Sequence, residues 1–113
     1  MRMEIFADYI LHAPGEAQGA LLDVLTFLRD KLPDAERRMY CSMPAFFRAG
    51  RCVIFVGAYK DHLGVCIGYD LVDVFKRRHP AYRYTKATIL LPYGEPVPFA
   101  VLEEICEALE QYV

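Results

Sequence analysis

The sequence predicts a single α+β domain over residues 1–113, a two-layer sandwich with helices packed on one face of a largely antiparallel sheet. Three observations predict it. Apolar residues recur at helical spacing near both ends of the chain, the period changes to two between them, and the strands so defined are short and separated by compact turns. With 113 residues, 55% hydrophobic and 25% charged, the chain is long enough to bury its own core and too apolar to stay disordered.

The elements follow in order. Ala17, Leu21, Val24, Leu25, Leu28 and Leu32 share one helical face, so the spacing predicts an amphipathic helix over 15–32, stopped by Pro33. Glu16, Asp23 and Asp30 lie seven apart and align on its outer face. Residues 45–48 and 51–59 read as strands about an Ala49-Gly50 turn, and 62–68 as a third. A short helix over 70–78 has Asp70 as its expected cap and Lys76, Arg77 and Arg78 at its negative end. Residues 86–91 form a further strand ended by Pro92. Pro98 opens a last helix with Val101, Leu102, Ile105, Leu109 and Tyr112 inside and Glu103, Glu104, Glu107 and Glu110 outside.

The stretch YKDHLG, residues 59–64, fixes a register. With Lys60-Asp61 as a two-residue turn, Tyr59 faces His62 and Val56 faces Val65, which gathers the branched aliphatic side chains against the helices. The opposite side then pairs Gly57 with Gly64 and Phe55 with Cys66. Neither turn residue is glycine or asparagine, so a three-to-five-residue loop stays open as an alternative.

In this register two facing glycines leave backbone uncovered on the helix-free side, and a strand glycine marks a bulge or the close approach of another group. That group is a ligand, a second subunit or a bulky neighbour such as Phe46 or Phe47. Tyr59, His62, Lys86 and Thr88 would line a site there, with Phe55 as its floor and Lys60 and Tyr84 at the rim. Cationic and hydroxyl groups around an apolar floor suit an anion with a hydrophobic body. Lys86 and Thr88 are expected to share this side of their strand.

Other classes find less support. The four cysteines (41, 52, 66 and 106) form no C-x-x-C pair, so zinc and redox-dithiol sites give way to free thiols in a reducing compartment. No apolar run approaches a membrane span and residues 1–9 carry no secretory h-region, which points to a cytoplasmic protein without membrane attachment. No G-x-S-x-G, H-E-x-x-H or phosphate-binding glycine loop is present, so the chain is not read as an enzyme and no catalytic residue is assigned. The net charge of −2 divides unevenly: three bases and seven acids over 1–36, ten bases and three acids over 37–93, five acids and no base over 94–113. Blocks this different are expected on different faces. The basic segment FKRRHPAYRYTK can contact phosphates, but the overall acidity makes nucleic acid an unfavoured partner.

The segments DYI near the start, MPAF at 43–46, AYKDHLGV at 58–65 and YTKATILLP…P at 84–96 resemble the YdhG-like family, in family order along nearly the whole chain. Ala87 stands where that family's pattern commonly has glycine, and Leu91 where it has an aromatic. The resemblance implies a frataxin-like fold, and some members are described as intracellular iron chaperones. It therefore implies iron as the one metal to be handled, by a non-enzymatic binding protein. Weak Fe(II) binding calls for exposed oxygen ligands, which the acidic outer faces at Glu16, Asp23, Asp30 and Glu103 to Glu110 supply. No short motif carries the ligands, so none is assigned. Two alternatives stand beside iron: a small-molecule or anion-binding module using the open sheet face, and a homodimer built on that same face.

Overall fold

A computed structural model describes residues 4–111. The chain folds into four helices and one six-stranded sheet. They run α1 (Glu4–His12), α2 (Gly15–Lys31), β1 (Glu36–Tyr40), β2 (Met43–Arg48), β3 (Arg51–Ala58), β4 (His62–Cys66), α3 (Tyr69–Arg78), β5 (Arg83–Tyr84), β6 (Thr88–Pro92) and α4 (Phe99–Gln111). The strand order is β1-β2-β3-β4-β6-β5, and every neighbouring pair is antiparallel. This is the α+β sandwich the periodicity predicts.

The helices share one face. Leu21, Val24, Leu25 and Leu28 of α2 and Leu102 and Ile105 of α4 join Phe46, Ile54, Val56, Leu63, Val65 and Ile89 of the sheet in one buried cluster. Its sheet residues alternate along each strand, which is why the period of two was visible. Phe6 of α1 completes the cluster, with its ring edge-on to Phe46 at 5.8 Å. The Tyr9 hydroxyl accepts a hydrogen bond from the Ala58 amide at 2.9 Å and ties α1 to the end of β3. At the α1–α2 corner, Gln18 donates to the carbonyls of Leu11 and Ala13.

The β3–β4 register is the expected one. Phe55 pairs with Cys66, Val56 with Val65, Gly57 with Gly64 and Ala58 with Leu63, and the Tyr59 amide donates to the His62 carbonyl at 2.9 Å. The β1–β2 connection is another two-residue turn, Cys41-Ser42, with φ of 52° and 64°. Both central residues sit in the left-handed region that a tight hairpin needs, without glycine. Ala49 (φ 51°) and Gly50 (φ 76°) turn β2 into β3, and a bulge separates Phe46 from Phe47.

Several expectations need correction. The start of α3 is capped by Gly68, at φ 92°, with no side-chain cap, so Asp70 sits in the first turn rather than before it. Lys86 and Ala87 form the bend of the β5–β6 hairpin, and the strand begins at Thr88. At α4 the charge blocks meet: Lys31 pairs with Glu103 at 3.5 Å, Arg78 with Glu104 at 3.0 Å and Arg48 with Glu110 at 3.8 Å. Tyr112 lies outside the described residues. Among the described residues no helix is long and apolar enough to cross a membrane.

Candidate functional site

The helix-free face is built by residues that pair across the strands. Register places Tyr40 and Met43, Ala45 and Phe55, Phe55 and Cys66, Gly57 and Gly64, and Cys66 and Thr88 on one side. Aromatic rings tile it: Tyr40 meets Phe47 at 5.9 Å and Phe55 at 5.3 Å, both edge-on, and the Arg38 guanidinium lies 4.8 Å from the Phe47 ring centroid.

The glycine gap is occupied, and by Tyr59 itself. A Cβ built on Gly57 would meet the Met43 sulfur at 2.6 Å and Tyr59 Cε2 at 3.0 Å, and one on Gly64 would meet Tyr59 Cε2 at 3.0 Å and Thr88 Cγ2 at 3.2 Å. The phenol ring therefore lies over both glycines, and only bare backbone admits it. Its hydroxyl stands 3.8 Å from the Met43 sulfur. The predicted bulky neighbour was Phe46 or Phe47. Phe46 instead faces the core at 0% exposure, and Phe47 packs against Tyr40.

Of the residues expected at the site, Phe55, Tyr59, His62 and Thr88 share this face. Lys60 is exposed in the β3–β4 turn. Lys86 is exposed in the bend before β6, beyond the strand from which it was expected to project. Tyr84 belongs to the other side: it pairs with Ile89, and its hydroxyl donates to the carbonyls of His79 at 2.8 Å and Phe75 at 3.1 Å. Those carbonyls end α3, so Tyr84 serves the helix terminus rather than the sheet face. Burial pushes its phenol above the usual value.

At the β3–β4 turn the polar groups gather. His62 Nδ1 is 2.7 Å from Asp61 Oδ1, and the imidazole stacks on Tyr59 with centroids 5.1 Å apart. The hydrogen bond from His62 holds the Asp61 carboxyl below its usual range. Tyr93, just after β6, donates its hydroxyl to the Tyr59 carbonyl and its amide to the Asp61 carbonyl. Burial raises the Tyr93 phenol first, and the charges of Tyr9, Glu16 and Asp61 add to that rise. Sequence reasoning missed Met43 and Tyr93, because no local pattern joins residues 43, 61 and 93. Among the described residues, no three His, Cys, Asp or Glu side chains gather into a metal cage.

A helix-backed antiparallel sheet of this order, with MPAF on its second strand and YKDHLG at its central turn, is a YdhG-like α+β fold. The likeness runs through fold and sequence. The solved structure of YdhG, a Bacillus subtilis protein of the DUF1801 family, superposes with a TM-score of 0.86 at 25% identity, covering 94% of this chain and 88% of that one. A Bacillus subtilis (strain 168) protein named intracellular iron chaperone frataxin is 27% identical over 111 residues, 93% of this chain and 88% of its own length. No family model matches the chain.

Proposed function

We propose that the protein is a non-enzymatic iron-handling protein that holds Fe(II) weakly at the rim formed by Asp61 and His62. The observation that carries this reading is the pairing of Asp61 with His62 at 2.7 Å in the exposed β3–β4 turn. Carboxylate oxygens with one imidazole are a donor set suited to Fe(II). Three or fewer protein donors, with water completing the sphere, give the loose grip that lets a carrier release its cargo. The relative named as an iron chaperone supports the class.

Several acids on the outer faces of α2 and α4 are already paired. Glu103, Glu104 and Glu110 of α4 are held by Lys31, by Arg78 with His79, and by Arg48, and Asp30 by Arg29. Metal binding at those positions would first have to displace a cation. Glu16, Asp23 and Glu107 have no ion pair among the described residues, and Asp61 is paired with His62.

Anaerobic titration of isotope-labelled protein with Fe(II), followed by amide NMR, tests the reading. Paramagnetic broadening is expected first at Asp61 and His62 at micromolar iron, and His62→Ala should weaken it. Spectra unchanged through millimolar iron would overturn the proposal, as would broadening confined to α4.

A further inference from the structure

At the end of the sheet opposite the Tyr59–His62 turn, a cavity of about 450 Å³ opens between the β2–β3 turn, the exit of β4, the start of α3 and the end of α4. Its volume falls within the range of about 300–1,000 Å³ usual for small-molecule sites. Ile67, Leu71 and Leu109 give it apolar walls, and Arg48 and Arg51 bring two positive charges against one acid, Asp70.

Among the described residues the guanidinium groups of this cavity are incompletely paired. The Arg48 side chain is only 13% exposed, and its buried Nε has no hydrogen-bond partner. Its one ion pair, to Glu110, spans 3.8 Å, too far for a hydrogen bond. Glu110 lines a second hollow on the other side of Arg48 and does not enter the cavity. Arg51 is exposed and has no ion pair among the described residues. The amides of Tyr69, Asp70 and Leu71 open α3, whose cap, Gly68, offers no side-chain acceptor, and all three residues line the cavity. A buried guanidinium N–H left unpaired is costly, and native proteins rarely leave such a group without a partner.

We infer that this cavity binds a small organic anion, a carboxylate with an apolar body. The carboxylate accepts from the guanidinium groups of Arg48 and Arg51, the planar acceptor that a guanidinium fork matches best. The apolar body lies against Ile67, Leu71 and Leu109. The site is separate from the iron-handling rim and does not depend on it.

The test is an NMR titration with cyclohexanecarboxylate, with cyclohexylmethanol and inorganic phosphate as comparisons. The carboxylate is expected to shift the Arg48 Nε–H signal and the amides of Tyr69 to Leu71 together and saturably. Arg51→Gln, at an exposed position where the fold tolerates change, should weaken binding about tenfold, the loss of one charge-assisted hydrogen bond. Glu110→Gln should tighten it, because Glu110 competes for Arg48. No shift through millimolar carboxylate overturns the site. Equal binding of the alcohol overturns the anionic recognition, and phosphate binding as tightly as the carboxylate overturns the role of the apolar walls.

Discussion

The Tyr59 ring stacks on the His62 imidazole at 5.1 Å and 18° while its edge covers the backbone of Gly57 and Gly64. One side chain thus links the polar turn at the sheet's end to the bare middle of its outer face. Since the ring fits only because two facing residues lack a Cβ, size at Gly64 and size at residue 59 are coupled. Gly64→Ala is expected to cost about 1–3 kcal/mol in the native chain, the usual penalty of overpacking, and clearly less in a Tyr59→Ala background. Urea denaturation of the four proteins in that cycle measures the coupling. Additive costs would mean that the ring moves aside freely.

The thiols should sort by burial. Cys106 is buried beneath α4, and desolvation, then Glu110, pushes its thiol up to about 12. Desolvation and the neighbouring Cys66 push Cys52 up to about 11. Cys41 is exposed in the β1–β2 turn. Because the thiolate is the reactive form, iodoacetamide at neutral pH should label Cys41 first and Cys106 only after unfolding. Peptide mass spectrometry over a time course reads the order, and early labelling of Cys106 would contradict the packing of α4.

Tyr84 should matter to stability rather than to binding. Its hydroxyl donates at the end of α3, where the Phe75 carbonyl also accepts from the His79 amide, so Tyr84→Phe leaves the His79 carbonyl short of a donor. A loss of about 1–2 kcal/mol is expected in denaturant melts. Iron titration of the same variant should match the wild type.

The sequence showed the fold where periodicity was strong and failed where it was not. α2 and α4 were legible from their apolar stripes, and the β3–β4 register from the pairing of branched residues. β1 reads ERRMY, an edge strand exposed along most of its length, with no apolar alternation to reveal it. Its turn, Cys41-Ser42, takes two left-handed residues without the glycine or asparagine that would signal them. α1 brings Phe6, Tyr9 and Ile10 to the core at helical spacing, but its nine residues make only about two and a half turns, too short a stripe to stand out. At the site, the facing glycines announced a close approach, but Tyr59 sits next to its own turn and was counted as a wall rather than as the occupant. Tyr84 was misplaced because a two-residue strand gives no alternation from which to read its side.

Acid should act on the contact between α3 and α4. The Glu104 carboxylate lies 3.1 Å from His79 Nε2 and 3.0 Å from Arg78 Nη1, and these hydrogen bonds, His79 first, hold it below the usual carboxylate range. A carboxyl whose folded pKa is depressed binds its proton more readily once unfolded. Its contribution is therefore present above the unfolded value of 4.5 and lost as pH falls through the lower folded value. Arg78 stays charged across that window, so protonation of Glu104 removes charge assistance from both bonds at once. Glu104→Gln is expected to flatten the acid limb of a stability-versus-pH curve measured in urea. Glu107→Gln, one turn along α4 and without an ion pair among the described residues, serves as the control. The prediction fails if both variants keep the wild-type slope below that unfolded value, since the α3–α4 contact would then owe nothing to the charge on Glu104.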